Sequence, residues 1–206
     1  MSSEATSLRA PQVRARHMQG VLAEVNRLPL EDRRAIMAAI RPETLEAIGQ
    51  GSMLGWVPFA VDVECSRAIA THLGPMRAHD FFRGQILGVV ETTLLAGIVQ
   101  GAMRLAGADP RLYLPFLGKG FDILFHSCGR LTARFEAPNS AVVDLRGLPP
   151  VALEDQYWVG SVASALCGLA ELIGFESNVV VTQSNERDGS VKLLFSWQAR
   201  EAKKLL

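Results

Sequence analysis

The side chains best suited to metal chemistry are His126 and Cys128, which lie two positions apart, and Cys167 further along the chain. Cysteine and histidine are the usual zinc ligands in proteins. A zinc site of this type normally shows two closely spaced pairs of ligands, and this sequence offers a single pair. The pattern therefore favours a histidine at a helix end beside a buried thiol, and we predict no metal site.

The sequence motifs that could indicate a catalytic or phosphate-binding site have structural explanations. Residues 118–122 (GKGFD) contain glycines but follow a helical pattern rather than a strand, which argues against a phosphate-binding loop. Glu154 and Asp155 are adjacent and would point apart on a helix, and Asp155 suits the N-cap of the helix that follows. The sequence contains no nucleophilic serine motif, Walker loop or dinucleotide fingerprint. We predict no catalytic residue, no cofactor and no enzymatic activity.

A row of small residues marks the helix expected after Pro149 and Pro150. Gly160, Ser164 and Gly168 recur at every fourth position, so they lie along one side of that helix. With so little side chain there, another backbone can approach closely, or space for a ligand can remain. Close packing is the favoured interpretation, because voids in protein interiors are rare and costly.

The alternative interpretation is a slot for a small apolar ligand beside this row. Side chains of the same helix and of an upstream helical segment would line the slot. The predicted ligand-binding residues are Phe121, Phe125, Tyr157, Trp158 and Cys167.

Length and charge limit the class of protein. A chain of 206 residues suits one domain, or one domain with an extension. Lys plus Arg and Asp plus Glu are equal at 21 each, which argues against a nucleic-acid or anionic-membrane partner. Hydrophobic residues make up 49% of the chain, too large a share for a disordered protein.

Cysteine usage and apolar segments predict the compartment. Cys65, Cys128 and Cys167 are an odd number without paired spacing, which indicates buried thiols in a reducing compartment. The N-terminus lacks the apolar region of a secretory signal. Residues 86–106 are apolar but carry charged and polar interruptions, which favours a core helix over a membrane span. We predict a cytoplasmic protein.

Periodicity predicts helices first and hairpins later. Apolar spacing of three and four predicts helices over residues 11–28, 31–40, 42–49, 61–75, 78–106 and 109–129. Alternation with a period of two predicts one hairpin over residues 131–146 and a second over 177–197, whose turn is SNERDG. The long helix between them ends at Gly174, a typical C-cap residue.

Two hairpins separated by a helix can join into one antiparallel sheet with helices on its apolar face. The predicted fold is α+β: N-terminal helices, then a helical bundle packed on a four-stranded antiparallel sheet made of two hairpins separated by a long helix. A glycine-rich joint near residue 50 suggests the domain division. We predict a disordered tail (1–10), a helical extension (11–54), an α+β domain (55–198) and a C-terminal tail (199–206).

A family resemblance rests on four features of the second half. They are AVVDLRGLPP at 141–150, Tyr157 and Gly160 on the long helix, Gly174 at its end, and a last strand finishing in FSW at Trp197. This pattern resembles an uncharacterised family expanded in myxobacteria, over roughly residues 55–198. The order of elements resembles heme-nitric-oxide-binding domains, vinyl-reductase-type sensory domains and vesicle-tethering TRAPP subunits.

The resemblance implies one of two functions. Members of this wider group bind a small molecule between helices and sheet, or dimerise and mediate protein contacts. A heme-binding member needs a proximal histidine and a Tyr-Ser-Arg-type motif, and this sequence has no such motif; His126 is the one histidine in a strongly apolar context. We therefore expect a non-enzymatic sensory or adaptor domain with a small hydrophobic ligand. The alternative is a homodimeric scaffold that recruits a protein partner, and a heme-based gas sensor is a third, more remote option.

Overall fold

The computed structural model describes residues 10–92, 109–154 and 156–199. The predicted α+β class is confirmed, with helices and a four-stranded antiparallel sheet. In chain order the elements are β1 (Gln12–Arg14), α1 (Ala15–Arg27), α2 (Leu30–Ala39), α3 (Pro42–Gln50), β2 (Trp56–Pro58), α4 (Ala60–Thr92), α5 (Pro110–Tyr113), α6 (Leu117–Leu124), β3 (Phe125–His126), β4 (Arg130–Ala137), β5 (Ser140–Arg146), α7 (Tyr157–Leu172), β6 (Phe175–Asn185) and β7 (Ser190–Ala199). Short 3-10 turns occupy Leu114–Phe116 and Pro150–Ala152.

The main sheet has four antiparallel strands in the order β4-β5-β7-β6. Each predicted hairpin forms, and the two join where β5 pairs with β7, with Val143 opposite Leu193. The alternation seen in the sequence buries one face of each central strand. The fully buried inner residues of β5 and β7 are Ala141, Val143, Leu145, Val191, Leu193 and Phe195.

The long helix α7 begins and ends close to its predicted limits. Gly174 has φ of 85°, a left-handed conformation that residues with a Cβ rarely adopt, and it turns the chain from α7 into β6. The predicted N-cap, Asp155, lies outside the described residues. Gln156 precedes the helix with φ of 61°.

The range of α4 consists of two helical segments that meet at a kink. The sequence predicts a helix that closes at Gly74 and Pro75 and a second helix after it, and the structure has a non-helical Gly74 between two helical segments, the second of which is described to Thr92. Gly74 has φ of 74° and ψ of 167°, so the two halves differ in direction at this residue. The predicted core helix over 78–106 falls partly on residues 93–108, which lie outside the described part of the chain. No helix within the described ranges is long and apolar enough to cross a bilayer.

A second, three-stranded sheet was not predicted. Residues 12–14 were expected to be helical, and they form the central strand β1 of the order β2-β1-β3. The helix predicted over 109–129 is likewise wrong in part, because Phe125 and His126 are extended and pair with β1. These strands are two or three residues long, and their pairing partners are remote in sequence, so no local pattern indicates them.

The N-terminal helices pack on the rest of the chain. Glu64 on α4 accepts hydrogen bonds from the backbone N–H of Arg41 at 2.7 Å and from the hydroxyl of Thr44 at 2.8 Å, which holds the first turn of α3. The Arg41 guanidinium also binds this carboxylate. The division of the chain into separate units, residues 11–54 and 55–198, stays a prediction. Side-chain and backbone hydrogen bonds join the two ranges.

Candidate functional site

A cavity of about 150 Å³ lies between the helices and the sheet. Helices α1, α4, α6 and α7 contribute most of the side chains around it, and Leu131 of β4 contributes from the sheet. Most of these side chains are apolar. An apolar cavity of similar size in another protein admits molecules the size of benzene.

A cluster of aromatic rings forms part of the cavity wall. Phe125 lies at the centre of this cluster, with its ring centroid 4.7 Å from that of Phe121 and 5.7 Å from that of Trp158. Phe59 packs edge-on against Trp158 at 5.0 Å. Trp158 has no exposed surface and is among the largest fully buried side chains. The pairs Phe59–Trp158 and Phe125–Trp158 pack edge to face, and the rings of Phe121 and Phe125 are tilted by 35°.

Two titratable groups lie beside these aromatic rings. The indole Nε1 of Trp158 donates to Oδ2 of Asp62 at 2.9 Å, in the first turn of α4. Burial raises the pKa of Asp62, and the neighbouring His17 opposes that rise. Burial lowers the pKa of His17, and the Asp62 carboxyl opposes that change. Both pKa shifts favour the uncharged forms of Asp62 and His17, so this part of the cavity wall is polar but disfavours a fixed charge.

An amide and a phenol also line the cavity. Gln85 on α4 and Tyr113 at the end of α5 line the cavity and are 7% and 8% exposed. Burial raises the pKa of Tyr113 above its ordinary value, which keeps its hydroxyl protonated. The Nε2 atom of Gln85 and the hydroxyl of Tyr113 are buried without a hydrogen-bond partner, and so is Nδ1 of His17. Such atoms cost about 1–3 kcal/mol each when unpaired, so they mark positions where a ligand or water would be stabilised.

The structure brings three of the five predicted ligand-binding residues together. Phe121, Phe125 and Trp158 line the cavity. Tyr157 is 40% exposed, and Cys167 is buried on another side of α7, so neither is among the described lining residues.

The lining residues that sequence reasoning missed include His17, Asp62, Gln85 and Tyr113. Asp62 carried a usable signal, because a carboxylate between Val61 and Val63 in an apolar helix segment is unusual at a buried position.

Two members of the row of small residues, Ser164 and Gly168, face α4, and Gly168 packs closely against it. A Cβ on Gly168 would lie well inside van der Waals contact with the carbonyl oxygen of Arg83 and with Cγ2 of Ile86. Ser164 lies 3.0 Å from Nδ1 of His79. No atom lies within 4 Å of a Cβ built on Gly160. Close packing therefore explains Gly168, whereas the cavity lies on an adjacent side of the helix.

The three cysteines are buried and unpaired. Cys128 donates to the carbonyl of Gln12 at 3.4 Å, and burial raises its pKa to about 12. Burial also raises the pKa values of Cys65 and Cys167. Among the described residues there is no group of three or more His, Cys, Asp or Glu side chains that could hold a metal ion.

The comparisons with known proteins identify the fold. No protein-family model matches the sequence, and a search of curated proteins finds no match. Solved structures match over most of the chain. An oxygen-binding H-NOX domain related to soluble guanylate cyclases superposes with a TM-score of 0.59 at 12% identity, covering 93% of this chain and 99% of that one.

This chain has the H-NOX fold. The unliganded Fe(II) H-NOX protein from K. algicida gives a TM-score of 0.56 at 11% identity, over 93% of this chain and all of that one. A single-substitution variant of Tt H-NOX gives 0.58 at 13% identity, over 93% and 99%. The expected likeness to heme-nitric-oxide-binding domains is thus confirmed for the fold. The comparisons give no support to the expected kinship with the myxobacterial family.

Proposed function

We propose that this chain is a non-enzymatic sensory domain that binds a small, mostly apolar molecule in the cavity between α1, α4, α6 and α7. The observation that carries the proposal is the apolar cavity with unpaired polar atoms on His17, Gln85 and Tyr113. Buried polar atoms are normally paired, so their grouping around one space supports a binding site. The H-NOX fold supports a sensory role, because the matched H-NOX proteins include an oxygen complex.

The group that the matched proteins bind does not fit this cavity. Two of the matched structures concern distortion of a heme or porphyrin, one of them in the H-NOX family. Drug-sized ligands occupy sites of about 300–1,000 Å³, and this cavity has about 150 Å³. A heme also carries two carboxylates, which are normally paired with Arg or Lys, and the described lining residues include neither. His17 is a histidine on the cavity wall, but it lies beside the buried carboxyl of Asp62.

A ligand screen with two matched variants tests the proposal. Thermal shift against lipids and aromatic compounds, followed by native mass spectrometry of the hits, should identify molecules that stabilise the wild type. Ala165→Phe places a ring in the cavity and should abolish the shift, because Ala165 is on its wall. Gly160→Phe adds the same ring on the same helix where its Cβ meets no atom, and it should keep the shift. A wild type that no compound stabilises would refute the function.

The second candidate function is a homodimeric scaffold that recruits a partner. Strand β6 is an edge of the main sheet, and Val180 and Val181 on it are 47% and 41% exposed. An exposed apolar edge strand favours pairing with another chain. Sedimentation velocity over a wide concentration range tests this function, with Val181→Lys expected to shift a dimer towards monomer. A wild type that stays monomeric at every concentration would exclude it.

A further inference from the structure

The volume of the cavity limits the size of a ligand. It is about 150 Å³, and an apolar cavity of this volume in another protein stays free of water and binds benzene. Protein interiors are close-packed, so a second fused ring would have to displace side chains of the wall. A ligand that fills the cavity is therefore about the size of one six-membered ring.

The wall of the cavity is rich in aromatic rings. Of the described lining residues, six are Phe, Tyr or Trp: Phe82, Tyr113, Phe116, Phe121, Phe125 and Trp158. The rings of Phe125 and Trp158 already pack edge to face, with centroids 5.7 Å apart. Contacts between aromatic rings stabilise beyond the area that they bury, so this wall favours an aromatic ring over a saturated ring of the same size.

The wall offers no counter-charge to an ion. The described lining includes neither Arg nor Lys. Asp62 is 5% exposed and accepts a hydrogen bond from Trp158, and burial favours the uncharged forms of Asp62 and His17. A charged ligand would lose its water without gaining a partner, so the cavity favours an uncharged one.

Phe116 lies where the cavity meets the solvent. Its side chain lines the cavity and is also 42% exposed. Nζ of Lys119 lies 5.5 Å from the centroid of its ring, and a lysine ammonium stays in water. The ring of Phe116 therefore separates the cavity from the surface, and its removal would extend the cavity outwards.

We propose that the ligand is an uncharged molecule built on a single aromatic ring, and that Phe116 sets the limit of one ring. This inference rests on the proposed ligand-binding function and names its ligand class. The volume determines the size, the aromatic wall determines the kind of ring, and the lack of a counter-charge excludes ions.

Isothermal titration calorimetry with probes that differ in one property each tests the ligand class. Phenol should bind more tightly than cyclohexanol, by about two- to tenfold, because the saturated ring makes no aromatic contacts. 2-Naphthol carries a second fused ring and should bind about tenfold more weakly than phenol, or less. Benzoate and benzylammonium keep the single ring with a negative and a positive charge, and both should also bind about tenfold more weakly, or less.

A matched pair of variants tests the role of Phe116. Phe116→Ala removes its ring and should lower the preference for phenol over 2-naphthol by about fivefold or more. Phe135→Ala is the control, since Phe135 is 47% exposed and outside the described lining, and it should leave this preference unchanged. Both rings are exposed, so neither change removes a core side chain, and a ratio of affinities cancels a general loss of binding.

The outcomes separate this inference from the function on which it rests. Equal binding of 2-naphthol and phenol to the wild type would overturn the size limit, and equal binding of cyclohexanol would overturn the preference for an aromatic ring. Equal or tighter binding of either charged probe would overturn the uncharged class. An unchanged preference in Phe116→Ala, or an equal change in Phe135→Ala, would overturn the role of Phe116.

Failure of every probe has two distinct meanings. If none of the probes binds but the wider screen finds another ligand, the inference is refuted and the binding function is kept. If the wider screen also finds no ligand, both are refuted.

Discussion

Replacing Gly168 by alanine should destabilise the protein, whereas the same change at Gly160 should stabilise it. Both glycines are inside α7, so each substitution gains about 1 kcal/mol from helix propensity. At Gly160 the new methyl meets no atom within 4 Å, and this gain should be retained. At Gly168 the methyl would overlap the backbone carbonyl of Arg83 and the side chain of Ile86.

Overpacking of this kind costs about 1–3 kcal/mol, and a backbone atom cannot move aside as a flexible side chain can. We therefore expect Gly168→Ala to lose up to about 2 kcal/mol and Gly160→Ala to gain about 1 kcal/mol, a difference of roughly 1–3 kcal/mol. Equilibrium urea unfolding followed by circular dichroism measures this difference, provided that the slope of the transition stays constant. Equal stability of the two variants would refute the close approach of α4 and α7 at Gly168.

Three further predictions concern buried groups. Trp158→Phe removes the donor to Asp62 and should lower the free energy of unfolding by about 1–3 kcal/mol in urea titrations; an unchanged value would contradict the importance of this bond. Asp62→Asn should match the wild type near pH 3 and become more stable than the wild type as the pH rises above about 4. The reason is that burial raises the pKa of the Asp62 carboxyl in the folded state. The stability that such a carboxyl contributes is lost as the pH rises through its folded pKa, and asparagine does not titrate. Thermal unfolding across pH 3–8 tests this, and a gain that shrinks with rising pH would reverse the assigned sign. The three thiols should react slowly with a disulfide reagent in the native protein and rapidly in urea, since burial raises their pKa values; fast native labelling would refute their burial.

The fold was predictable where a local pattern carried it. Alternation in residues 190–199 and the glycine after α7 are local signals, and both correspond to the structure. Strand β1 was missed because its three residues precede a strong helical pattern, and their pairing with β2 and β3 depends on tertiary structure. Phe125 was placed in a helix for the same reason.

The candidate site was predictable only in part. Tyr157 and Trp158 are adjacent, so they lie about 100° apart around α7; in the structure Trp158 lines the cavity, whereas Tyr157 is 40% exposed. The sequence does not give that rotation, because it is set by how α4 packs against Gly168. His17, Gln85 and Tyr113 come from three separate helices, and only the assembled fold brings them to one space.

The central position of β1 has a consequence for synthesis on the ribosome. The carbonyl of Gln12 accepts a hydrogen bond from Cys128, which is 116 positions later in the chain. Strand β1 can pair with β2 early, but its other edge has no partner until β3 has left the exit tunnel. Since contacts of such long sequence separation form late, the emerging chain should hold one open strand edge through most of its translation, and a chaperone that shields extended segments would act there.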